Sequence, residues 1–208
     1  MMKWQLTSII ICLSFSKALT LRCYNCHNNC QNSNTTMVCS GRCLSFREVA
    51  YLGSVMMENS GKSCSQTGAC TSYSLNLGVS KTTFNSICCD SDLCNSGPVP
   101  VVDLQPNGKQ CYFCVGNNCL GNVHCEGIED HCISYTDVIN GRNVTLKGCA
   151  SKNFCDTSSS RLRLSSMNIT SREVSVKCCK GNLCNGAESV TLSFFLMLFF
   201  LLSCFLLH

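Results

Sequence analysis

Two sets of ten cysteines constrain this chain more than any other feature. The sequence has 22 cysteines in 208 residues, and Cys12 and Cys204 lie in apolar end segments. Both sets of ten open with C-x-x-C and close with an adjacent pair, four further residues, a cysteine and an asparagine. The repeat period is about 90 residues, which predicts two tandem domains. The first set is Cys23, Cys26, Cys30, Cys39, Cys43, Cys64, Cys70, Cys88, Cys89 and Cys94; the second is Cys111, Cys114, Cys119, Cys125, Cys132, Cys149, Cys155, Cys178, Cys179 and Cys184.

This cysteine content predicts a disulfide scaffold made in the oxidising secretory pathway, because a reducing cytosol would keep the thiols free. A domain of about 75 residues buries barely enough apolar surface to offset chain entropy. Closing a loop of about 15 to 20 residues contributes roughly 3 kcal/mol, so disulfides supply the difference.

The first residues are predicted to be a signal peptide. Lys3 precedes an apolar stretch, Leu6–Phe15, that is too short to span a bilayer. Ala18-Leu19-Thr20 suits the cleavage site and places the mature start at Leu21; Ser16-Lys17-Ala18 is an alternative site.

The last residues are predicted to be a signal for a GPI anchor. Leu192–Leu207 is almost continuously apolar, with no basic flank, and is marginal in length for a spanning helix. Small residues at Asn185-Gly186-Ala187 precede it, so Asn185 or Gly186 is the predicted attachment residue, although the spacer is shorter than the usual ~8 to 12 residues. A single-pass helix and a secreted form are the alternatives.

All three prolines lie between the two cysteine sets, at Pro98, Pro100 and Pro106. Proline favours extended, semi-rigid backbone, so this segment is predicted to be a linker. The predicted division is a signal peptide at 1–20, a first domain at 21–95, the linker at 96–110, a second domain at 111–185 and the anchor signal at 186–208.

The chain between its two ends predicts strands and turns, with no sustained helical periodicity. Cys132–Val138, Asn140-Gly141 and Val144–Leu146 form the strongest hairpin signal. The counterpart in the first domain runs from Cys43 and returns through Val55–Met57, with a turn near Gly53. The predicted fold class is therefore all-β and disulfide-rich.

The closing motifs CCDSDLCN (88–95) and CCKGNLCN (178–185), with the openings LRCYNC (21–26) and QCYFC (110–114), resemble the Ly6/urokinase-receptor family. The resemblance covers nearly all of the mature chain. It implies two tandem three-finger domains, each with three β-loops projecting from a disulfide-rich hub. Asn95 and Asn185 match the asparagine that closes the hub in the family.

Cysteine spacing alone leaves the connectivity open. The resemblance implies, in the first domain, Cys23–Cys43, Cys26–Cys30, Cys39–Cys64, Cys70–Cys88 and Cys89–Cys94. In the second domain it implies Cys111–Cys132, Cys114–Cys119, Cys125–Cys149, Cys155–Cys178 and Cys179–Cys184.

Metal binding and catalysis are not expected. The C-x-x-C pairs lie near His27, His124 and His131, but a zinc site needs free thiolates, and here the cysteines are predicted to be paired. The chain lacks a G-x-S-x-G motif, and Glu129-Asp130 has no second group at a plausible spacing. A spatial triad is not visible in a sequence. We predict no enzyme activity, no metal and no cofactor.

Charge excludes a further class of function. The formal net charge is +4, and it falls to +3 without the end segments that hold Lys3, Lys17 and Glu188. So mild a charge provides no basic stripe for nucleic acid.

Three sequons predict N-glycosylation at Asn34, Asn143 and Asn168. On the family map they lie on the first finger of domain one and the second and third fingers of domain two. The second finger of domain one remains, and its apolar residues around Gly53 are the predicted ligand contacts. These residues are Tyr51, Leu52, Val55 and Met56, with Met57 beside them.

Two other interpretations concern these surfaces. The apolar finger residues could instead pack against the neighbouring finger or the second domain. Arg161-Leu162-Arg163 could bind an acidic partner or simply be solvated.

The leading hypothesis is a GPI-anchored surface receptor or adhesion protein that binds an extracellular protein ligand. A chain with no cytoplasmic segment would require a co-receptor or clustering to signal. The alternative is a secreted inhibitor resembling the two-domain phospholipase inhibitors of the family, which lack the anchor. A purely structural surface protein is a third hypothesis, and it differs from the first in having no specific partner.

Overall fold

The computed structural model describes residues 20–28, 30, 34–66, 70–115, 118–139, 142–158, 175–186 and 199. Strands dominate these ranges, so the predicted all-β, disulfide-rich class is confirmed. Within them, no helix is long and apolar enough to cross a membrane. The strands are β1 (Leu21–Tyr24), β2 (Cys26–His27), β3 (Thr36–Cys39), β4 (Arg42–Leu52), β5 (Val55–Ser65), β6 (Tyr73–Asn76), β7 (Ser80–Cys89), β8 (Pro106–Val115), β9 (Asn118–Glu126), β10 (His131–Ile139), β11 (Arg142–Ala150) and β12 (Ser175–Cys179), with a 3-10 helix at Cys94–Ser96 and a helix α1 at Lys152–Ser158.

The described residues form two compact units. The first contains those up to Ser74 together with Ser80–Val102, and the second contains Leu75–Val79 together with those from Asp103 onward. The sequence places Leu75–Val79 inside the first repeat. In the structure its first two residues pair with the end of β11, which explains its grouping with the second unit.

In the first unit, β4 lies between β7 and β5 and pairs antiparallel with both. The β4–β5 hairpin closes at Leu52 and Val55, so its turn has only two central residues. The first of these, Gly53, has φ 57°. A type II′ turn requires positive φ at this position, and glycine adopts it without a Cβ clash.

In the second unit, β10 pairs with β11 and β12, while β8 pairs with β9. The predicted hairpin strands at Cys132–Val138 and Val144–Leu146 lie within β10 and β11. The Asn140-Gly141 turn lies outside the described residues.

Helix α1 was not expected from the sequence, which predicted only strands and turns between the two ends. Its seven residues are too few to show a helical period. The Ser151 hydroxyl accepts a hydrogen bond from the Phe154 N–H at 3.4 Å, and the Cys155 N–H donates to the Ser151 carbonyl. A serine cap of this kind satisfies amides that the first turn leaves free.

Each unit is organised around five disulfides, and together the ten join the pairs that the family resemblance implies. Buried half-cystines form the centre of each core, with Cys23, Cys39 and Cys43 in the first unit. In the second unit the equivalent cluster comprises Cys111, Cys125, Cys132 and Cys149. Covalent bonds thus occupy the place of an aliphatic core.

One buried asparagine closes each hub with the same three hydrogen bonds. Asn95 Oδ1 accepts from the Tyr24 N–H at 2.9 Å, and its Nδ2 donates to the carbonyls of Tyr24 and Leu44, both at 3.0 Å. Asn185 repeats this with the Tyr112 N–H at 3.0 Å and the carbonyls of Tyr112 and Ile133, both at 2.9 Å. Each amide therefore joins the first strand of its hub to the second finger.

Asn95→Ala is expected to lower the free energy of unfolding by about 2 to 4 kcal/mol, because three buried backbone groups lose their partner. Denaturant unfolding with the disulfides intact measures this change. Asn25→Ala is the control, since Asn25 is exposed. Equal stability of the two variants would show that the disulfides alone hold the hub together.

Asp130 links the turn before β10 to helix α1. Its Oδ1 lies 2.8 Å from His131 Nδ1 and accepts a hydrogen bond from the Lys152 N–H at 2.9 Å. Burial raises the pKa of the Asp130 carboxyl, but the hydrogen bond and charge of His131 and the Lys152 amide outweigh it and hold the pKa below its usual value.

A carboxyl whose pKa is lowered by folding stabilises the fold above its unfolded pKa of about 3.9 and loses that contribution as pH falls through the folded pKa. Asp130→Asn is therefore expected to reduce stability at neutral pH and to match the wild type in strong acid. Denaturant unfolding across this pH range tests it, with the exposed Asp156→Asn as control. A difference from the wild type that is constant with pH would contradict this role.

Candidate ligand-binding surface

The end of the β4–β5 hairpin exposes four large apolar side chains, here called the apolar tip: Leu52, Val55, Met56 and Met57. Their exposed fractions are 59%, 59%, 56% and 50%. The hairpin register makes them contiguous, because Leu52 pairs with Val55 and the two methionines follow directly along β5. Single exposed apolar residues are ordinary on protein surfaces, whereas a cluster of four indicates a contact site.

The apolar tip presents side chains on both faces of the hairpin, since side chains alternate along a strand. Leu52, Val55 and Met57 share one face, and Met56 shares the other with Tyr51. Tyr51 is half-buried, and the Lys81 ammonium of β7 lies 6.0 Å from its ring centroid. Three of the four predicted contact residues therefore project into solvent, and Tyr51 is paired with Met56 on the neighbouring strand.

A groove lies on the same face as Met56, towards the hub. It is open to solvent, has a volume of about 690 Å³, and is lined by β4, β5 and the start of the predicted linker, including Ser96–Val99. In it Arg47 and Glu58 form a two-pronged ion pair, with Nε–Oε1 2.9 Å and Nη2–Oε2 3.1 Å. Sequence reasoning did not find this groove, because it depends on the linker folding back over the sheet.

Lys62 supplies the other charge of the groove. Its Nζ donates to the Ser96 carbonyl at 2.5 Å and lies 5.5 Å from the centroid of the Tyr24 ring. No carboxylate of the described residues forms an ion pair with it. The groove therefore carries one neutralised pair and one cation beside an apolar tip.

The predicted glycosylation sites are placed only in part. Asn34 is exposed, as a glycan acceptor must be. Asn143 pairs with Val138 in the β10–β11 ladder, and nothing is described of its side chain. Asn168 lies outside the described residues, as do Arg161–Arg163.

The two predicted anchor-attachment residues differ in their surroundings. Asn185 is 5% exposed and holds the second hub through its hydrogen bonds to Tyr112 and Ile133. Gly186 follows it, and its N–H donates to the Leu183 carbonyl at 3.2 Å. Residues 1–19 of the predicted signal peptide and nearly all of the apolar run 192–207 lie outside the described residues.

One group of described residues brings together three atoms of the kind that bind metals, at Cys111, Cys125 and Cys149, with the sulfurs within 4.8 Å of one another. All three sulfurs are in disulfides: Cys125 is bonded to Cys149, and Cys111 to Cys132. Zinc binds thiolates, which these sulfurs are not. Their proximity reflects the convergence of disulfides on the hub.

Two disulfide hubs, each closed by an asparagine and bearing projecting hairpins, define a disulfide-rich all-β protein with two tandem three-finger domains. The u-PAR/Ly-6 domain family matches residues 19–97 and 107–187. The chain belongs to this family, so the resemblance inferred from the cysteine motifs is confirmed.

Two kinds of relative are similar to this chain. The urokinase plasminogen activator surface receptor of Mus musculus is 40% identical over 120 residues, which cover 51% of this chain and 35% of the relative. The protein of the same name from Rattus norvegicus is 36% identical over 119 residues, 51% of this chain and 34% of the relative. A phospholipase A2 inhibitor gamma subunit of Elaphe climacophora is 38% identical over 82 residues, 33% of this chain and 39% of the relative.

Each match covers little more than a third of the relative's length. The names of these relatives describe a receptor and an inhibitor, so at the level of the family they support a non-enzymatic protein.

Proposed function

We propose that this protein is a GPI-anchored cell-surface receptor or adhesion protein that binds an extracellular protein ligand through the apolar tip. The observation that carries the proposal is the exposure of Leu52, Val55, Met56 and Met57 side by side. Leu52, Val55 and Met57 share one face and together expose on the order of 300 Å², within the size range of patches that often mark an interaction site. The named receptor relatives support a receptor role.

The hairpin suits recognition because it is ordered before the ligand arrives. Its long ladder and the hub disulfides hold the tip, so little conformational entropy is lost on binding. Buried apolar anchors surrounded by a polar rim are typical of binding hot spots. Here the apolar tip supplies the anchors, and the Arg47–Glu58 pair with Lys62 supplies the rim.

The lipid anchor is supported by the small residues before the apolar run 192–207. Of the two predicted attachment residues we favour Gly186, because Asn185 is buried in the hub. A lipid on Gly186 leaves the Asn185 amide in place. An anchor confines the protein to the outer leaflet, so signalling would require a co-receptor or clustering.

A secreted inhibitor is the second candidate. It is favoured by the similarity to a phospholipase A2 inhibitor, which is as close in identity as the receptor matches, although over fewer residues. It differs from the receptor in two measurable properties, release from the cell without treatment and inhibition of a purified phospholipase A2.

We expect a phosphatidylinositol-specific phospholipase C to release the full chain, expressed on cultured cells, into the medium. Surface labelling before and after treatment measures the release. Retention on the cells would indicate a spanning helix, and protein already in the medium before treatment would favour the inhibitor. A Leu192→Arg variant, which interrupts the apolar run, is expected to fail to reach the surface.

We expect Leu52→Ser, Val55→Ser and Met56→Ser, combined in one variant, to weaken binding of the ligand at least about tenfold, because each change removes apolar burial of more than about 1 kcal/mol. The ligand is identified by screening extracellular protein domains against cells that display the wild-type chain. Val38→Ser is the matched control, since Val38 is 69% exposed but lies on β3. Equal weakening of ligand binding by Val38→Ser would contradict the proposal that the apolar tip is the binding site.

A further inference from the structure

Strand β5 has an open edge next to the apolar tip. One side of β5 pairs with β4 along its length, whereas on the other side β2 pairs only with Gly61 and Lys62. Beyond these, the Asn28 N–H donates to the Ser60 carbonyl at 2.8 Å, and the Ser60 N–H donates to Asn28 Oδ1 at 3.4 Å. The backbone groups of Ser60 therefore point away from β4.

The alternation of a strand extends this direction to Glu58 and Met56, which lie two and four residues before Ser60. The two-residue turn leads to the same conclusion. Leu52 and Val55 close the hairpin as a hydrogen-bonded pair, so the next pair, Tyr51 and Met56, forms no backbone hydrogen bonds across the hairpin. Within the described ranges no strand pairs with this part of the edge. The N–H and C=O groups of Met56 and Glu58 are thus directed outward.

We propose that this edge pairs antiparallel with β5 of a second copy of the chain, about a two-fold axis that passes beside Met56. An exposed apolar edge strand is a template for further pairing, and antiparallel pairing of two identical edges satisfies the groups of both. The inference goes beyond ligand binding and does not depend on it.

The register follows from charge. Residues whose backbone groups point outward must lie opposite one another. Three registers meet this condition: Met56 opposite Met56, Met56 opposite Glu58, or Glu58 opposite Glu58 of the second copy. Like charges directly opposite are destabilising, which excludes the last. The second register places each Glu58 carboxylate, which is bonded to Arg47 of its own copy, against a methionine. The first places only apolar side chains around the axis.

In this register Val55 of each copy lies opposite Met57 of the other, on the face that also carries Leu52. These are non-hydrogen-bonded pairs, in which side chains are closest. Both faces of the new pair are therefore apolar near the axis. No ionic group of either copy has to be buried, which is why a second copy fits this edge.

The interface is small. Covering about 400 Å² of each copy gives roughly 800 Å² in total, which is below the standard size and predicts a weak, reversible dimer. Two copies held in one membrane meet at a raised effective concentration. A ligand and a second copy would contact the same residues and so compete.

The test uses the full chain, co-expressed on cells with two different epitope tags, crosslinked at the surface and captured through one tag. We expect the wild type to be co-captured. Met56→Pro removes the outward N–H but no hairpin hydrogen bond, and it is expected to reduce co-capture at least about tenfold. Met56→Leu is the matched control and is expected to retain it. Absence of wild-type co-capture, or equal co-capture of Met56→Pro, would overturn the proposal.

A charge exchange tests the register without altering the backbone. Chains with Val55→Lys or with Met57→Glu are each expected to lose self-association, whereas the two co-expressed are expected to pair, because the lysine lies opposite the glutamate. Mixed pairing no better than either alone would overturn the register. Wild-type chains that bind the ligand but are not co-captured would overturn the dimer and leave the proposed function standing.

Discussion

The covalent hub is the constraint on which the rest of this structure depends. Of the fifteen buried apolar residues of the described chain, eight are half-cystines. Disulfides restrict the unfolded chain, so the fold does not need a large aliphatic core to offset its entropy. The hydrogen bonds of Asn95 and Asn185 then fix the first strand against the second finger of each hub. Because stability is concentrated there, the hairpin ends are free to carry surface chemistry.

That separation explains what the sequence could predict. The hub is specified by residues whose chemistry is nearly unique, so the cysteine register and the closing asparagines identified the family and the all-β fold. The Gly53 turn was visible because few residues other than glycine tolerate its backbone conformation. These signals are local or strictly periodic, so they can be recognised without knowledge of tertiary contacts.

The features that escaped prediction depend on contacts between distant residues. Helix α1 needs the Asp130 carboxylate, which comes from 22 residues earlier, in addition to its own serine cap. The groove needs the Ser96 carbonyl to meet Lys62 across 34 residues. At the apolar tip the residue types were evident, but the half-burial of Tyr51 next to Lys81 of β7 was not. No residue pattern reveals which backbone groups of β5 face outward.

The direction of those backbone groups gives the apolar tip a second possible role, which is strand pairing. The side chains alone form an exposed apolar patch that any apolar partner could cover. The outward N–H and C=O groups of Met56 and Glu58 add a directional preference, since an extended strand can bond to them in series. Natural edge strands are usually protected by charge, proline or a covering segment. Here the nearest charge, Glu58, is already neutralised by Arg47, so the edge is open to strand pairing rather than defended against it.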